Sequence, residues 1–410
     1  MTTAVVLSGG GARGAFEAGV IAYLREELEP ALGRRLPLSI LCGTSVGALH
    51  ACLLAATAHE PARQGELLTS FWRSLDLDRL LELRLRDAIA LGRELVFAPK
   101  AGFAQRHVGL VQPRWLEEQL LRRIPWPWIG RNVRAGRVSV LSVTATHVGT
   151  GRPVVFVQGH QALPGWPVEA ALYSVATRIG PKHALASAAI PLIFPPVTIG
   201  KRLYVDGGLR ANVPLSPALR LGARRVLVLS VRHGDGRLPP LPDGEQRTYA
   251  TAPFLIGKTL NALFLDPTEQ DLSRLRQVNA LLEAGTTAFG ASFTDRLNQS
   301  RLPGTPPMRY VRELEIAPSR DIGALAADYA RSATFAARNG GLAGRLIRQL
   351  AEREARYEAD LASYLLFDGA FAAQLLELGR HDAAARREEL VRFFSEEPQS
   401  SAEEAELRGG

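Results

Sequence analysis

Apolar runs of strand length alternate with helix-like segments over the first sixty residues. Thr3–Leu7 is a short β-branched and apolar run followed by closely spaced glycines, which predicts a buried strand and a tight turn. Apolar side chains then recur at helical spacing as far as Pro30, which we expect to end the first helix. Leu36–Cys42 predicts a second strand, and Ala48–Ala58 predicts a buried helix. Two consecutive strand–turn–helix units predict a parallel sheet.

The rest of the chain continues this pattern and then becomes helical. Further apolar runs predict strands at Val138–Thr144, Val154–Val157, Leu203–Val205, Arg225–Val231 and Tyr310–Ile316. From Asp321 onward the pattern is almost wholly helical. We therefore predict an α/β domain over residues 1–345 and a helical C-terminal extension over residues 346–410.

The composition is that of a globular protein with a large core. The 410 residues are 46% hydrophobic and 22% charged, which suits one large α/β domain. The net charge is +8, but residues 341–410 hold 9 Arg and 14 Asp or Glu, a net charge of −5 that leaves +13 for the remainder. A basic surface can attract anionic lipid or nucleic acid. Because no zinc finger, RNA-binding aromatic motif or basic zipper is present, we expect no nucleic-acid partner.

The hydropathy pattern also bears on location. No stretch of about 20 apolar residues is present, and the N-terminus has no basic segment followed by an apolar one. We therefore expect neither a membrane-spanning helix nor a cleaved signal peptide. The expected location is the cytoplasm, with peripheral association with a membrane left open.

The first motif with chemical meaning is Gly43–Gly47, which reads GTSVG and fits the G-x-S-x-G pattern of a nucleophile elbow. In such an elbow the serine, here Ser45, sits on a sharp turn between a strand and a helix, and the flanking glycines avoid collisions there. The N-terminus of the following helix points its N–H groups at the site where negative charge develops. An ordinary glycine-flanked turn is the alternative for this motif alone.

The second motif is the segment SGGGARG from Ser8 to Gly14, in which glycines let backbone N–H groups approach a charged oxygen. It can form an oxyanion hole, or it can bind a dinucleotide, because Gly9–Gly14 also fits G-x-G-x-x-G. A dinucleotide site needs an acidic residue at the end of the next strand. That strand ends instead in Cys42 and the GTSVG motif, and no G-K-[ST] follows, so the oxyanion hole is favoured.

The third motif is Asp206 followed by Gly207 and Gly208, at the end of a predicted strand. A carboxylate there lies where ligands bind in open α/β sheets, and we expect the small residues to leave room beside it. An Asp-Gly turn without chemistry is the alternative. Taken together, the three motifs supply a nucleophile, a base and oxyanion donors, which are the parts that acyl transfer requires.

Four segments resemble the patatin-like phospholipase family in order and approximate spacing. They are Gly9–Gly14 (GGGARG), Gly43–Gly47 (GTSVG), Ala186–Val197 (ASAAIPLIFPPV) and Asp206–Pro214 (DGGLRANVP). The resemblance covers residues 1–345 and is less diagnostic for the helical extension. It implies a three-layer α/β/α sandwich with a mainly parallel sheet, and hydrolysis of ester bonds in phospholipids or other acyl lipids.

The resemblance also implies roles for individual residues. Ser45 would attack the acyl carbonyl and Asp206 would accept its proton, in a dyad that needs no histidine. The N–H groups around Gly10, Gly11 and Ala12 would stabilise the oxyanion. Arg13 would hold the loop in shape or balance the developing charge, and Asn212 would anchor the loop after Asp206. The supporting residues would be Arg13, Gly14, Gly43, Gly47, Gly207 and Gly208. We expect no cofactor and no metal.

Two alternatives stay open at this point. A Ser–His–Asp hydrolase could use Ser45, Asp206 and His233, because His233 follows a predicted strand. An inactive scaffold could bind lipid without hydrolysing it, although both Ser45 and Asp206 are present. The segment Phe254–Leu265 has a helical apolar pattern that suits either core packing or insertion between lipids. Head group, acyl chain, ester position and oligomeric state are not predicted.

Overall fold

The computed structural model describes residues 2–80, 114–160, 166, 172–191, 193–233, 266–301, 306–353 and 360–395. The apolar segment Phe254–Leu265 lies outside these described residues. Within them, nine strands form one sheet. The strands are β1 (Thr3–Leu7), β2 (Ile40–Thr44), β3 (Val140–His147), β4 (Pro153–Gly159), β5 (Tyr173–Ala176), β6 (Val197–Ile199), β7 (Arg202–Asp206), β8 (Arg225–Leu229) and β9 (Arg312–Ile316).

Helices follow most of the strands and dominate the C-terminal part. The α-helices of the described residues are α1 (Ala15–Tyr23), α2 (Glu29–Leu32), α3 (Val46–Ala56), α4 (Gln64–Arg73), α5 (Leu77–Leu80), α6 (Arg114–Arg123), α7 (Pro127–Arg134), α8 (Pro181–Ser187), α9 (Gly208–Ala211), α10 (Leu215–Arg220), α11 (Asp266–Phe289), α12 (Phe293–Gln299), α13 (Ile322–Arg331), α14 (Ala333–Arg338), α15 (Leu342–Arg353), α16 (Asp360–Leu365), α17 (Gly369–Ala385) and α18 (Arg387–Ser395). No helix in the described ranges is both long enough and apolar enough to cross a membrane.

The sheet is mostly parallel, as predicted. Its strand order is β5-β4-β3-β2-β1-β8-β9. The five neighbouring strands β3, β2, β1, β8 and β9 are all parallel to one another. β4 and β7 are both antiparallel to β3, and β6 pairs with β7. The parallel part follows from the strand–helix alternation, because parallel neighbours need a crossover connection.

Alternating side chains of the strands fill two cores, one on each face of the sheet. Val5 and Leu7 of β1 belong to the core that contains α1 and α3, whereas Ala4 and Val6 belong to the core that contains α10 and α11. This alternation is what a strand buried on both faces requires. The predicted three-layer α/β/α architecture is therefore confirmed.

The first helix and the second strand differ from their predicted bounds. After α1 the helical segment continues through the π-helical turn Leu24–Leu28 into α2, which contains Pro30. It ends at Gly33, where φ is 61°. Pro30 lies at the start of α2, a position where its missing N–H costs little. β2 begins only at Ile40. The N–H of Leu36, at the start of the predicted strand, donates to a Glu29 carboxylate oxygen at 2.7 Å and not to a neighbouring strand.

The C-terminal helices pack directly on the first helix. A Cβ on Gly19 would collide with the carbonyl oxygen of Leu376, and one on Gly379 would collide with that of Phe16, so the backbones of α1 and α17 approach closely. The predicted division at residue 345 falls within α15. The division into a domain and an extension stays a prediction.

Candidate active site

Ser45 forms a one-residue turn between β2 and α3. Its φ is 53° and its ψ is −126°, and it is the only non-glycine residue with a positive φ among the described residues. Such a backbone conformation costs on the order of 1–3 kcal/mol and persists where the surrounding structure enforces it. The segment thus has the strand–turn–helix geometry expected of a nucleophile elbow.

The two glycines that flank Ser45 allow the close packing of this turn. A Cβ on Gly47 would collide with the carbonyl oxygens of Leu7 and Ser8 at the end of β1. A Cβ on Gly43 would collide with the carbonyl group of Gly47 itself. Glycine at both positions therefore lets α3 start directly against the ends of β1 and β2.

Ser187 fixes the backbone of Ser45. The Ser45 N–H donates to Ser187 Oγ at 2.9 Å, and that hydroxyl donates to the carbonyl oxygen of Thr144 at 2.5 Å. The Ser45 N–H is therefore already engaged within the protein. Sequence reasoning missed Ser187, whose only signal was its position within the segment Ala186–Val197.

Asp206 reaches Ser45 from the opposite direction. β2 ends with Thr44 opposite Thr144 of β3, and β7 ends with Asp206 opposite Ala145 of β3. Because β4 occupies the other edge of β3, the ends of β2 and β7 meet on one side of it. Asp206 lies at the end of the strand predicted before it, and that strand runs antiparallel to β3 into the carboxyl edge of the sheet.

The serine hydroxyl and the carboxylate are in direct contact. Ser45 Oγ donates to Asp206 Oδ2 at 2.6 Å, while the N–H of Gly208 donates to Asp206 Oδ1 at 2.7 Å. Asp206 is fully buried. Burial raises the pKa of Asp206 to about 7, although the hydrogen bonds from Ser45 and Gly208 act in the opposite direction. The carboxylate is therefore a far better proton acceptor than an exposed aspartate.

Gly207 does not leave room beside the carboxylate, contrary to expectation. A Cβ at this position would collide with the carbonyl oxygen of Thr144, so the glycine allows the chain to pass close to β3. The N–H of Gly207 donates to the carbonyl oxygen of Ser187 at 3.2 Å. Gly207 therefore ties the end of β7 to the residue that holds Ser45.

His233 does not join these groups. Its Nδ1 lies 2.9 Å from the carbonyl oxygen of Pro318. In a Ser–His–Asp triad the imidazole stands between the hydroxyl and the carboxylate, whereas here Ser45 contacts Asp206 directly. The alternative that uses His233 in a triad is therefore wrong for this geometry.

The segment Gly9–Gly14, called the glycine loop below, borders Ser45. Gly10 leads into a 3-10 turn that starts with Gly11 and Ala12, and the first N–H groups of such a turn have no acceptor within it. Gly11 has a φ of 57° and lines a cavity of about 30 Å³ together with Ser45. Gly14 packs against the side chain of Val46 in α3.

Asn212 ties the glycine loop to the segment after Asp206. Its side-chain amide donates to the carbonyl oxygen of Gly9 at 3.1 Å, and the N–H of Gly9 donates to the carbonyl oxygen of Asn212 at 3.3 Å. A Cβ on Gly9 would lie 3.0 Å from the Cβ of Ser45. Asn212 thus spans two of the motifs, which goes beyond the anchoring role expected for it.

The C-terminal helix α16 holds Arg13 of the glycine loop. Arg13 Nε donates to Ser363 Oγ at 2.7 Å, and its Nη2 forms an ion pair with Asp360 at 3.1 Å. The guanidinium lies 4.3 Å from the ring centre of Tyr364. Arg13 is 3% exposed, so it is enclosed by these partners and does not face Ser45 freely. These contacts favour the loop-holding role over direct charge stabilisation.

A second network holds the loop from the other side. Both the N–H and the Oγ of Ser8 donate to Glu17 Oε1, at 2.7 and 2.9 Å. Glu17 Oε2 lies 3.0 Å from His50 Nδ1, and Trp72 Nε1 donates to His50 Nε2 at 3.0 Å. Because His50 Nε2 accepts a hydrogen bond, the imidazole proton is on Nδ1 and points to Glu17. Burial raises the pKa of Glu17, partly offset by His50 and Ser8.

Apolar side chains close the remaining sides of Ser45. The small cavity is walled by Leu49, Phe71, Trp72, Leu75, Phe194 and Phe367. Phe367 of the C-terminal part stacks on Trp72, with ring centres 6.5 Å apart. A neighbouring cavity of about 260 Å³ shares the wall residues Ala188 and Phe194. Within the described residues, no group of three or more His, Cys, Asp or Glu side chains is arranged to hold a metal ion.

Comparison with solved structures found several similar chains. One of them, the crystal structure of VipD from Legionella pneumophila, aligns over 92% of this chain and 66% of that chain, with 12% identity and a TM-score of 0.31. A similarity this low carries no argument about fold or function.

Comparisons with protein families and curated proteins agree with each other. The family model described as patatin-like phospholipase matches residues 5–136 and 178–219, which include Ser45 and Asp206. A cGAMP-activated phospholipase of Pseudomonas aeruginosa is 30% identical over 214 residues, covering 51% of this chain and 53% of that protein. A patatin-like phospholipase domain-containing protein of Caenorhabditis elegans is 26% identical over 236 residues, covering 55% of this chain and 13% of that protein. The chain thus spans about half or less of the length of these relatives. Its residues 5–136 and 178–219 are similar to the patatin-like phospholipase family, as the motifs predicted.

Proposed function

We propose that the protein is a serine acyl hydrolase that cleaves carboxylic esters of phospholipids or lysophospholipids. Ser45 is the nucleophile and Asp206 is the base in this proposal. The single observation that carries it is the 2.6 Å hydrogen bond from Ser45 Oγ to Asp206 Oδ2 inside a buried site. The substrate class follows from the family to which residues 5–136 and 178–219 are similar.

In the first step, Ser45 Oγ attacks the acyl carbonyl carbon while its proton moves to Asp206 Oδ2. The carbonyl π electrons move to the oxygen, and the N–H groups of Gly10, Gly11 and Ala12 stabilise the oxyanion. Collapse of this intermediate breaks the ester C–O bond, and the proton on Asp206 passes to the leaving alcohol. The serine is then acylated.

In the second step, water attacks the acyl-enzyme with Asp206 again as base. The proton on Asp206 then returns to Ser45 as the acid product leaves. A pKa of about 7 suits a group that must accept and donate a proton within one cycle near neutral pH.

In this proposal the acyl chain binds against the apolar walls beside Ser45. The cavity at Ser45 has a volume of only about 30 Å³, which is room for very few water molecules. A long acyl chain therefore needs more space than the side chains leave. Because Phe194 and Ala188 border both this cavity and the one of about 260 Å³, a rotation of Phe194 would connect them.

The lipid substrate also implies where the protein works. We propose peripheral contact with a membrane surface, supported by the net charge of +13 outside residues 341–410, which would attract anionic head groups. Residues 360–371 contribute Asp360, Ser363 and Phe367 to the surroundings of the site, so we propose that the helical extension is needed for activity.

The test is ester hydrolysis by the wild type and three variants on a short-chain nitrophenyl ester and on phospholipid vesicles. Ser45→Ala and Asp206→Asn should each lower kcat/KM by at least about 1000-fold with unchanged circular dichroism. His233→Ala is the matched control and should keep most of the activity. An inert wild type would favour the alternative of a lipid-binding scaffold, and an active Asp206→Asn variant would remove Asp206 as the base.

A further inference from the structure

A larger cavity lies on the face of the sheet opposite to Ser45. Its volume is about 650 Å³, within the range of small-molecule binding sites. It is formed by α10, α11, α12 and the segment 306–311. Leu215 and Leu275 in its wall belong to the core that contains Ala4 and Val6, whereas Val46 and Leu49 beside Ser45 belong to the other core. The two cavities are therefore separated by the sheet.

The wall of this cavity is aliphatic. Its apolar residues are Leu215, Leu219, Leu275, Val278, Leu297 and Met308, together with two prolines and Val311. None of the described lining residues is aromatic. A planar base gains most from stacking on aromatic side chains, so an aliphatic wall favours an alkyl chain over a nucleotide.

Positive charge is concentrated at the same cavity. Among the described lining residues, Arg274, Arg301 and Arg309 are positively charged and Asp271, which lies 3.7 Å from Arg274, is the one carboxylate. Arg309 is half-buried, and its Nη2 donates to the carbonyl oxygen of Leu219 at 2.7 Å. Burial and the nearby Arg224 lower the pKa of Arg309, so an anion placed beside it would relieve both effects.

We propose that this cavity binds an amphipathic anion with a single alkyl chain. The chain lies against Leu275 and Val278, and Arg309 binds the charged head group. A carboxylate head, as in a fatty acid, and a phosphate head, as in an alkyl phosphate, share this chemistry. The site is independent of whether Ser45 is a nucleophile, although hydrolysis of a lipid ester would release a ligand of this class.

The experiment measures binding to the full-length, delipidated protein by calorimetry with dodecanoate, dodecyl phosphate and uncharged dodecanol, each below its aggregation limit. Arg309→Gln should weaken binding of the favoured anion by about tenfold and leave dodecanol unchanged, because a charge-assisted hydrogen bond is lost. Val278→Trp should fill the cavity and abolish binding of all three. Arg63→Gln, which alters an exposed arginine outside the cavity, is the matched control and should bind as the wild type does.

A second variant keeps the test informative if Val278→Trp fails to fold. Ser300 is exposed and lines the cavity, so Ser300→Glu should keep the fold and repel both anions while sparing dodecanol. The anion that binds more tightly identifies the head group. The proposal is overturned if the wild type shows no saturable binding of either anion. It is also overturned if the Arg309 and Ser300 variants bind like the wild type, or if AMP displaces dodecanoate.

Discussion

Two buried networks hold the glycine loop and Ser8, the residue just before it, and they draw on different parts of the chain. Ser8 is held by Glu17, His50 and Trp72, which all lie in the first segment that matches the family. Arg13 is held by Asp360 and Ser363, which lie beyond both matched segments. The loop that would bind the oxyanion thus depends on a region for which the family match gives no information.

The two regions would therefore have different roles. Residues from the matched segments would supply the chemistry, whereas α16 would fix the arginine of the family's own GGGxRG motif. Both networks are buried, so a change in either should reach the loop. The two networks should differ in how much stability and activity a substitution removes, because only the Arg13 network joins segments that are far apart in the sequence.

Among changes to the glycine loop and the two networks that support it, the largest effect is expected from Gly11→Ala, which acts where the loop meets α16. Gly11 has a φ of 57°, and a Cβ there would collide with the carbonyl oxygen of Tyr364. We expect kcat/KM to fall by at least about 100-fold, because the substitution displaces the proposed oxyanion donors. Gly33→Ala is the control, since Gly33 has a φ of 61° and open space around it. Equal activity losses in the two variants would show that backbone strain alone, and not contact with α16, is responsible.

The next effect is expected from Asp360→Asn, which leaves the buried Arg13 guanidinium without its carboxylate. Removing one partner of a buried ion pair typically costs about 3–5 kcal/mol of unfolding free energy, and we expect kcat to fall by about tenfold or more. Chemical denaturation and steady-state kinetics measure the two effects.

An exposed ion pair between the same two regions is the control for Asp360→Asn. Arg73 and Glu377 are 3.3 Å apart, with side chains 56% and 66% exposed, so Glu377→Gln should cost less than about 1 kcal/mol. The double variant Arg13→Met/Asp360→Leu should recover stability without activity. Recovery of both would mean that the Arg13 network serves the fold only.

A smaller effect is expected from Glu17→Gln in the other network. The amide NH2 of the glutamine would face the Nδ1–H of His50, and His50 cannot move its proton while Trp72 donates to Nε2. The clash of donors should cost about 1–3 kcal/mol and lower kcat by a few fold. Adding Trp72→Phe frees the imidazole to change tautomer, so the double variant should be more stable than the Glu17→Gln variant. Purely additive losses would contradict this hydrogen-bond assignment.

The pH dependence of kcat/KM distinguishes the proposed base, Asp206, from residues such as Asp360 that only hold the glycine loop. Because burial raises the pKa of Asp206 to about 7, kcat/KM should be half-maximal near pH 7 and fall about tenfold for each unit below it. Asp360→Asn should lower the plateau without moving that midpoint. A shifted midpoint in this variant would show that α16 acts on Asp206 as well as on the loop.

The same pKa determines how the stability of the fold depends on pH. A raised carboxyl pKa means that the folded protein binds the proton more tightly, so ionisation of Asp206 destabilises the fold as pH rises from 3.8 through about 7. Asp206→Asn should therefore raise Tm relative to the wild type at pH 8 and have little effect at pH 4. Thermal unfolding at the two pH values checks this, and equal differences in Tm would contradict it.

Much of the fold could be predicted from the sequence, because β-branched runs and glycine turns are local signals. Ser45 and Asp206 were predicted from motifs in the same way. The antiparallel direction of β7 could not be predicted, since nothing in its five residues encodes the strand beside which it lies. The roles of Ser187 and Asp360 could not be predicted either, because their contacts with Ser45 and Arg13 join positions 142 and 347 residues apart.

Reaction with a fluorophosphonate tests the proposed nucleophile most directly. Attack by Ser45 Oγ on phosphorus would expel fluoride and leave a covalent adduct that intact-mass and peptide mass spectrometry can locate. We expect one adduct, on Ser45, that forms much more slowly in Asp206→Asn and at the wild-type rate in His233→Ala. An adduct on another residue, or undiminished labelling of Ser45→Ala, would contradict it.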